Sequence, residues 1–261
     1  MRRGLGSIEA RVLPRGFKDL FRQIGLFVGA CVLYNIVRGL VDGGSPYKPF
    51  GDAMKIINLE RTLHIFIEPS VQAWAMGQHW LMDAADWIYV NGHFFVTLAV
   101  LVFIYLRRND SFYFVRNVFM IAMALALVGY ALYPTAPPRL MPEWGFTDSV
   151  SQFVTGGTGS IWVDRGAGHA FLNFYAAVPS MHVCFATIVG VTMARLVRRR
   201  AARIAWCLYP LLVTFVVVVT ANHYLTDVFL GALTAAAAAF LAQRLLARAR
   251  PDAWAFGQAT A

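Results

Sequence analysis

Charge is what this sequence is short of. Of its 261 residues only 14% are Asp, Glu, Lys or Arg, while 58% are hydrophobic. Soluble domains carry about 25% charged and about 45–50% apolar residues. At a mean hydropathy of +0.55, a disordered chain is excluded, because disorder needs charge and few apolar groups. Cysteine is scarce as well. Cys31, Cys184 and Cys207 show neither paired nor metal-ligand spacing, which excludes a disulfide framework and predicts small buried hydrophobes. Acidic residues are outnumbered by basic ones, for a net charge of +9. That surplus would suit nucleic acid, but its distribution argues for a lipid bilayer instead.

What is present is long apolar runs. A membrane-spanning helix needs roughly 17–25 such residues. Six stretches qualify: Ile24–Val41, Trp87–Leu106, Asn117–Tyr133, Ala177–Ala194, Ile204–Ala221 and His223–Gln243. They predict an all-α, polytopic membrane protein with a basic tail over 1–23, a six-span domain over 24–246 and a second tail over 247–261. The basic residues gather in the first tail (Arg2 to Arg22), in two connections (Arg107, Arg108, Arg116; Arg195 to Arg203) and in the last segment (Arg244, Arg248, Arg250). The opposite face holds Lys48, Lys55, Arg61, Arg139 and Arg165, and Arg38 lies near a span end where it can snorkel. The positive-inside rule then predicts a plasma-membrane protein with both termini cytoplasmic. The first run is long for a signal peptide and no small-x-small site follows it, so it reads as a retained anchor.

Two segments on the far face are long. Residues 42–86 place Ile56, Ile57, Leu63, Phe66 and Val71 at helical spacing beside Trp74, Trp80 and Trp87, as expected of amphipathic helices at the interface. Residues 134–176 are rich in Gly, Pro and Ser, including the run Thr155-Gly156-Gly157-Thr158-Gly159-Ser160. A loop of that length is commonly functional or disordered.

Polar groups at membrane depth are costly, so each is a candidate for function. Three clusters stand at span ends. In Asn222-His223-Tyr224-Leu225-Thr226-Asp227 the histidine and aspartate are four apart, and so share a face if helical. A carboxylate there would fix the imidazole tautomer for a nucleophile or base; an interfacial pair that merely ties down a helix end is an equal reading. In Pro179-Ser180-Met181-His182, proline marks a helix start, whose amides favour an anion, with a histidine nearby to protonate a leaving oxygen. An ordinary helix cap explains the same residues. In Tyr133-Pro134-Thr135-Ala136-Pro137-Pro138-Arg139, prolines stop a helix and aim one guanidinium, whose fork matches phosphate oxygens; alone, it reads as an interface anchor. Charge counting puts all three clusters on the extracytoplasmic face. Together they are equipped for phosphoryl transfer through a phosphohistidine, with His223 as nucleophile, Asp227 supporting it, His182 as acid, and Arg139 with the amides near Ser180 holding oxygens. No metal or other cofactor is required.

The set Pro138-Arg139, Pro179-Ser180-Met181-His182 and His223-x-x-x-Asp227, in this order on six spans, resembles the type-2 phosphatidic acid phosphatase superfamily. The stretches Ala136-Pro137-Pro138-Arg139, Tyr175 to His182 and Asn222 to Asp227 more closely resemble its inositolphosphotransferase branch, which includes inositol phosphorylceramide synthase. The likeness runs from about residue 53 to 232. It implies a metal-independent membrane enzyme that hydrolyses or transfers the phospho-group of a lipid. Two motif cations are missing: Leu132 stands seven residues before Arg139, and Val217 six before His223. Arg165 is the candidate substitute, with a solvated loop charge as the competing reading. His93 is expected to make an interhelical hydrogen bond, His64, His79 and His169 to be solvated, Glu60 and Glu68 to face water, and Asn173 and Tyr175 to border an acceptor site. Competing classes are a non-catalytic lipid-binding or transport protein, and a cytochrome with two histidine ligands. Transporters favour inverted repeats and polar groups at the midplane, whereas these clusters sit at span ends.

Overall fold

The computed structural model describes residues 13–41, 47–155 and 177–246. The Gly/Ser run from Gly156 onward, Arg165, His169, Asn173, Tyr175 and most of both tails lie outside the described residues.

Every regular element among the described residues is helical. Helix α1 (Gly16–Val41) is followed by two short helices, α2 (Tyr47–Thr62) and α3 (Glu68–Met76). Then α4 (His79–Trp87) passes through a π turn at Ile88–Gly92 into α5 (His93–Arg107) as one rod. After it come α6 (Asn109–Leu132), α7 (Ser149–Thr155), α8 (Met181–Leu196), α9 (Arg200–Val219) and α10 (Leu225–Leu241). Among the described residues, five stretches are long and apolar enough to cross a membrane: Gly16–Val37, His79–Arg107, Asn109–Leu132, Arg200–Val219 and Leu225–Arg244. The expected fourth span is the shorter apolar helix α8, of 16 residues. The protein is thus a multi-pass membrane protein, all-helical among the described residues and with five such helices there, where the sequence predicted six.

The short helix is the central one. Helix α8 packs against α5, α6, α9 and α10, which explains why it buries Cys184, Ala186, Val189 and Gly190 on several sides at once. Close approach is bought with small residues, the usual currency of helix packing in lipid. A methyl on Gly190 would lie 2.7 Å from the Trp206 carbonyl oxygen and 2.9 Å from Pro210 of α9. On α10, Ala235 and Ala238 are buried in the same core, with Ile104 of α5 and Val115, Val118 and Ala122 of α6. Helix α1 is peripheral: it packs on α6 and leaves Phe21, Val28, Val32 and Leu33 exposed, as a lipid-facing helix does. The same logic corrects one expectation. Cys184 is buried, but Cys31 is only partly so and Cys207 is exposed, alongside Leu208, Leu211 and Leu212 on the outer side of α9. Apolar residues on a spanning helix need no protein core, because lipid covers them.

Of the residues expected on the apolar face of interfacial helices, Leu63 is exposed and lies beyond the end of α2, and Phe66 and Val71 are half-buried. Ile56 and Ile57 are buried, whereas Trp74 and Trp80 are exposed. Glu60 and Glu68, expected to face water, are fully buried instead. The reason is non-local: both carboxyls reach the start of α10, over 150 residues further along the chain.

Candidate active site

His223 does not sit on a helix. Helix α9 ends at Val219, the chain turns through Ala221 at a positive φ of 51°, and α10 begins only at Leu225. The Val217 carbonyl accepts from the amides of both Asn222 and His223, at 3.0 and 3.2 Å, so the imidazole is presented from a tied-down turn. The sequence argument put His223 and Asp227 on one helical face. They do meet, with His223 Nδ1 3.5 Å from Asp227 Oδ2, but through a cap rather than a helical turn. Tyr224 is the N-cap, and its amide donates to Asp227 Oδ2 at 3.0 Å. Asp227 itself is fully buried.

His182 lies in the first turn of α8, and its ring centroid is 6.0 Å from that of His223. Tyr89, in the π turn, stacks on His182 at 4.4 Å, and His93 sits 5.3 Å away on the other helix of that rod. His93 makes the expected interhelical bond, its Nδ1 being 2.9 Å from the Tyr209 hydroxyl of α9. Ser180 is the N-cap of α8, with its Oγ accepting from the Val183 amide at 3.4 Å. It is fully buried, and its own amide donates to the Asp227 carbonyl at 3.1 Å. This interlock of α8 with α10 requires Gly231, where an added Cβ would come within 2.3 Å of the Ser180 carbonyl oxygen.

Arg139 lies in a 3₁₀ turn, Pro138–Leu140, and the helix before it, α6, ends at Leu132, two residues ahead of Pro134. Its amide donates to the Ala221 carbonyl at 2.7 Å. Its Nε donates to Asn222 Oδ1 at 3.0 Å, and its Nη1 to Asp148 Oδ2 at 3.1 Å. The guanidinium is therefore held against the residue that precedes His223. At the two positions of the missing cations, Leu132 is largely exposed, and Val217 is buried with its carbonyl occupied by the His223 turn.

Three separately predicted clusters thus converge at one end of the helices. The Arg107 and Arg195 ends of α5 and α8 lie about 20 Å away, at 1.5 Å of rise per residue. Sequence reasoning missed the residues that hold the site together: Asn222 and Asp148 on Arg139, Tyr89 on His182, and Glu60 and Glu68 behind α10. One of these was legible. Glu60 follows Ile56 by four residues and Ile57 by three, so it belongs to their buried face. Among the described residues, no group of three or more His, Cys, Asp or Glu is arranged to hold a metal ion.

Beside the site, a cavity of about 770 Å³ runs between α1, α5 and α6. Tyr89, His93 and His182 line one part of it, and Phe27, Leu98, Leu101, Met120 and Phe185 supply an apolar wall. Its size is that of a small-molecule site.

No curated protein and no solved structure matches the chain. A family model does, over residues 54–241, and it is that of the PAP2 superfamily. The match covers Arg139, His182, His223 and Asp227 together with most of the helical domain, so the chain belongs to the PAP2 superfamily and with it to the phosphatase- and phosphotransferase-type enzymes of lipid phosphates.

Proposed function

We propose that the protein removes or transfers the phospho-group of a membrane lipid through a phosphohistidine on His223, as an inositolphosphotransferase-like enzyme working at the extracytoplasmic face of the plasma membrane. The observation that carries this is the meeting of two histidines from different helices, 6.0 Å apart, with a carboxylate behind one and an anchored arginine beside it.

Asp227 faces Nδ1 of His223, which leaves Nε2 as the nucleophile. Its lone pair forms the N–P bond while the bond from phosphorus to the leaving oxygen breaks, and His182 gives that oxygen its proton. The buried Asp227 carboxylate stabilises the imidazolium form. In the second step His182 takes a proton from water or an alcohol, whose oxygen attacks phosphorus, and the N–P bond breaks to restore His223. Arg139 neutralises charge on the phosphoryl oxygens, where its planar fork suits two of them. Ser180 fixes the start of α8 through the bond its Oγ accepts from the Val183 amide, and its O–H is left to donate to a phosphoryl oxygen. Arg165 would supply a second cation from outside the described residues. None of these roles calls on a metal ion.

The apolar cavity next to His182 supports a lipid substrate, because a hydrocarbon chain fits such a wall and a sugar phosphate does not. The distance of the site from the arginine-rich helix ends supports the extracytoplasmic placement. The test is a phosphate-release and transfer screen on purified protein. It uses phosphatidic acid, polyprenyl pyrophosphate and phosphatidylinositol, each with and without a lipid alcohol acceptor. Turnover of at least one donor that is lost in His223→Ala is expected. Binding of these lipids without turnover would instead make the protein a lipid-binding or transport module.

A further inference from the structure

Three consecutive amides at the start of α10 end on three different carboxyl groups. Tyr224 N donates to Asp227 Oδ2 at 3.0 Å, Leu225 N to Glu68 Oε1 at 2.9 Å, and Thr226 N to Glu60 Oε1 at 2.6 Å. The Thr226 hydroxyl adds a second bond to Glu60 Oε1 at 2.7 Å. Glu60 and Glu68 are both fully buried, and they accept from the adjacent amides of Leu225 and Thr226, which sets their carboxyls side by side. The second oxygen of each, Oε2, is buried and has no hydrogen-bond partner among the described residues. Carboxylates carry no donor of their own, so two unpartnered oxygens buried side by side call for a proton. One shared proton removes a buried like-charge repulsion and satisfies the facing oxygens together.

A single neutral cap would satisfy a helix end. Here two acids arrive from α2 and α3 and grip the two amides that follow Tyr224. His223 lies between this grip and the Val217 carbonyl. We propose that Glu60 and Glu68 form a proton-sharing pair that positions His223, tying α2 and α3 to the start of the helix that carries the site. The pair acts on the chemistry only through this placement, and its kinetic consequences rest on the phosphoryl-transfer reading above.

Burial, and the Glu68 carboxyl against it, push the Glu60 carboxyl from its ordinary 4.5 up to about 8, while the Thr226 bonds pull the other way. The titratable groups that interact with the pair are Tyr224, the N-cap of α10, with both acids, and Asp227, in the first turn of α10, with Glu68. Because the folded pair holds a proton that the unfolded chain has released, the stability it lends is greatest in acid. That stability falls as pH rises from about 4.5 towards about 8.

The test uses the full chain in detergent with dioctanoyl phosphatidic acid as substrate. Glu60→Gln keeps the acceptor for Thr226 and offers Glu68 a permanent N–H in place of the shared proton. It should hold kcat within about threefold of the parent, the worth of an ordinary hydrogen bond, and should lose the parent's fall in activity as pH rises through about 8. Glu60→Ala should lower kcat about 10²-fold, the cost of a misplacement near 1 Å, with KM little changed. If Glu60→Ala does not fold, Glu68→Gln takes its place, with the same expectation as Glu60→Gln. A Gln variant as damaged as the Ala variant, a Gln variant with the parental alkaline fall, or a folded Glu60→Ala with parental kcat would overturn the proposal. An arm independent of turnover is the infrared band of a protonated carboxyl near neutral pH, present in the parent and lost in Glu60→Gln. The band without any lipid turnover in the parent would overturn the functional reading and keep the pair. Turnover without the band would do the reverse.

Discussion

Adding one methyl group at Gly231 separates the contribution of the α8–α10 interlock from that of any reacting group. The new Cβ would lie 2.3 Å from the Ser180 carbonyl oxygen and 3.2 Å from its carbon, both backbone atoms that no rotamer change can withdraw. Heavy atoms settle at roughly 3.5 Å or more, so the two helices must part by about 1 Å. The Ser180 amide bond to the Asp227 carbonyl, now 3.1 Å, would be lost or stretched. Two stability effects oppose each other. Alanine gains about 1 kcal/mol in a helix interior, while overpacking costs about 1–3 kcal/mol, for a net loss near 1 kcal/mol. Catalysis should suffer far more. Ser180 precedes His182 by two residues, Gly231 follows Asp227 by one turn, and a shift near 1 Å between reacting groups costs on the order of 10²-fold. The assay is phosphate release at saturating lipid, run beside thermal unfolding. Gly51→Ala serves as control, because nothing lies within 4 Å of the Cβ it would add. Parental kcat in Gly231→Ala would refute the claim that this contact sets the histidine pair.

His223→Ala should abolish turnover in a protein that still folds, and Asp227→Asn should cost roughly 10²–10⁴-fold, the range of positioned acid–base groups; equal rates in His223→Ala and its parent would dismiss the phosphohistidine. Arg139→Lys keeps the charge but not the fork held by Asn222 and Asp148, so kcat/KM should drop about tenfold or more, and an unchanged value would remove Arg139 from the phosphate site. EDTA should leave activity intact and vanadate should inhibit, whereas rescue of an EDTA-silenced enzyme by magnesium would point to metal-dependent transfer. In a variant lacking Cys31, Cys184 and Cys207, a cysteine placed at Gly157 should react with an impermeant thiol reagent in intact cells, and one at Arg199 only after lysis; the reverse pattern would invert the topology.

Much of the architecture was legible because the bilayer imposes a local code. Apolar length marks spans, and arginine marks one side, so Ile204–Ala221 and Asn117–Tyr133 coincide with α9 and α6 to within a few turns. Helix starts and stops are local too, which is why Pro179-Ser180 and Pro137-Pro138 pointed to the cap of α8 and the turn that aims Arg139. Partners are not local. Nothing in the neighbourhood of Asp148 or Asn222 says that they would hold Arg139, and Tyr89 reaches His182 only because the rod of α4 and α5 packs against α8. His223 and Asp227 were paired by helical spacing, yet they meet across an N-cap, because the chain turns at Ala221 before α10 begins. Glu60 and Glu68 show the difference most plainly. Sequence gave them two negative charges on short helices, and water is the cheapest surrounding for a charge. Burial became favourable only when folding brought up amides of α10 that needed acceptors and set the two carboxyls side by side on them. Which groups lie along a helix face is set by the rise and twist of the chain. Which groups they meet is set by packing between segments far apart in sequence, and the chemistry of this site belongs to the second kind.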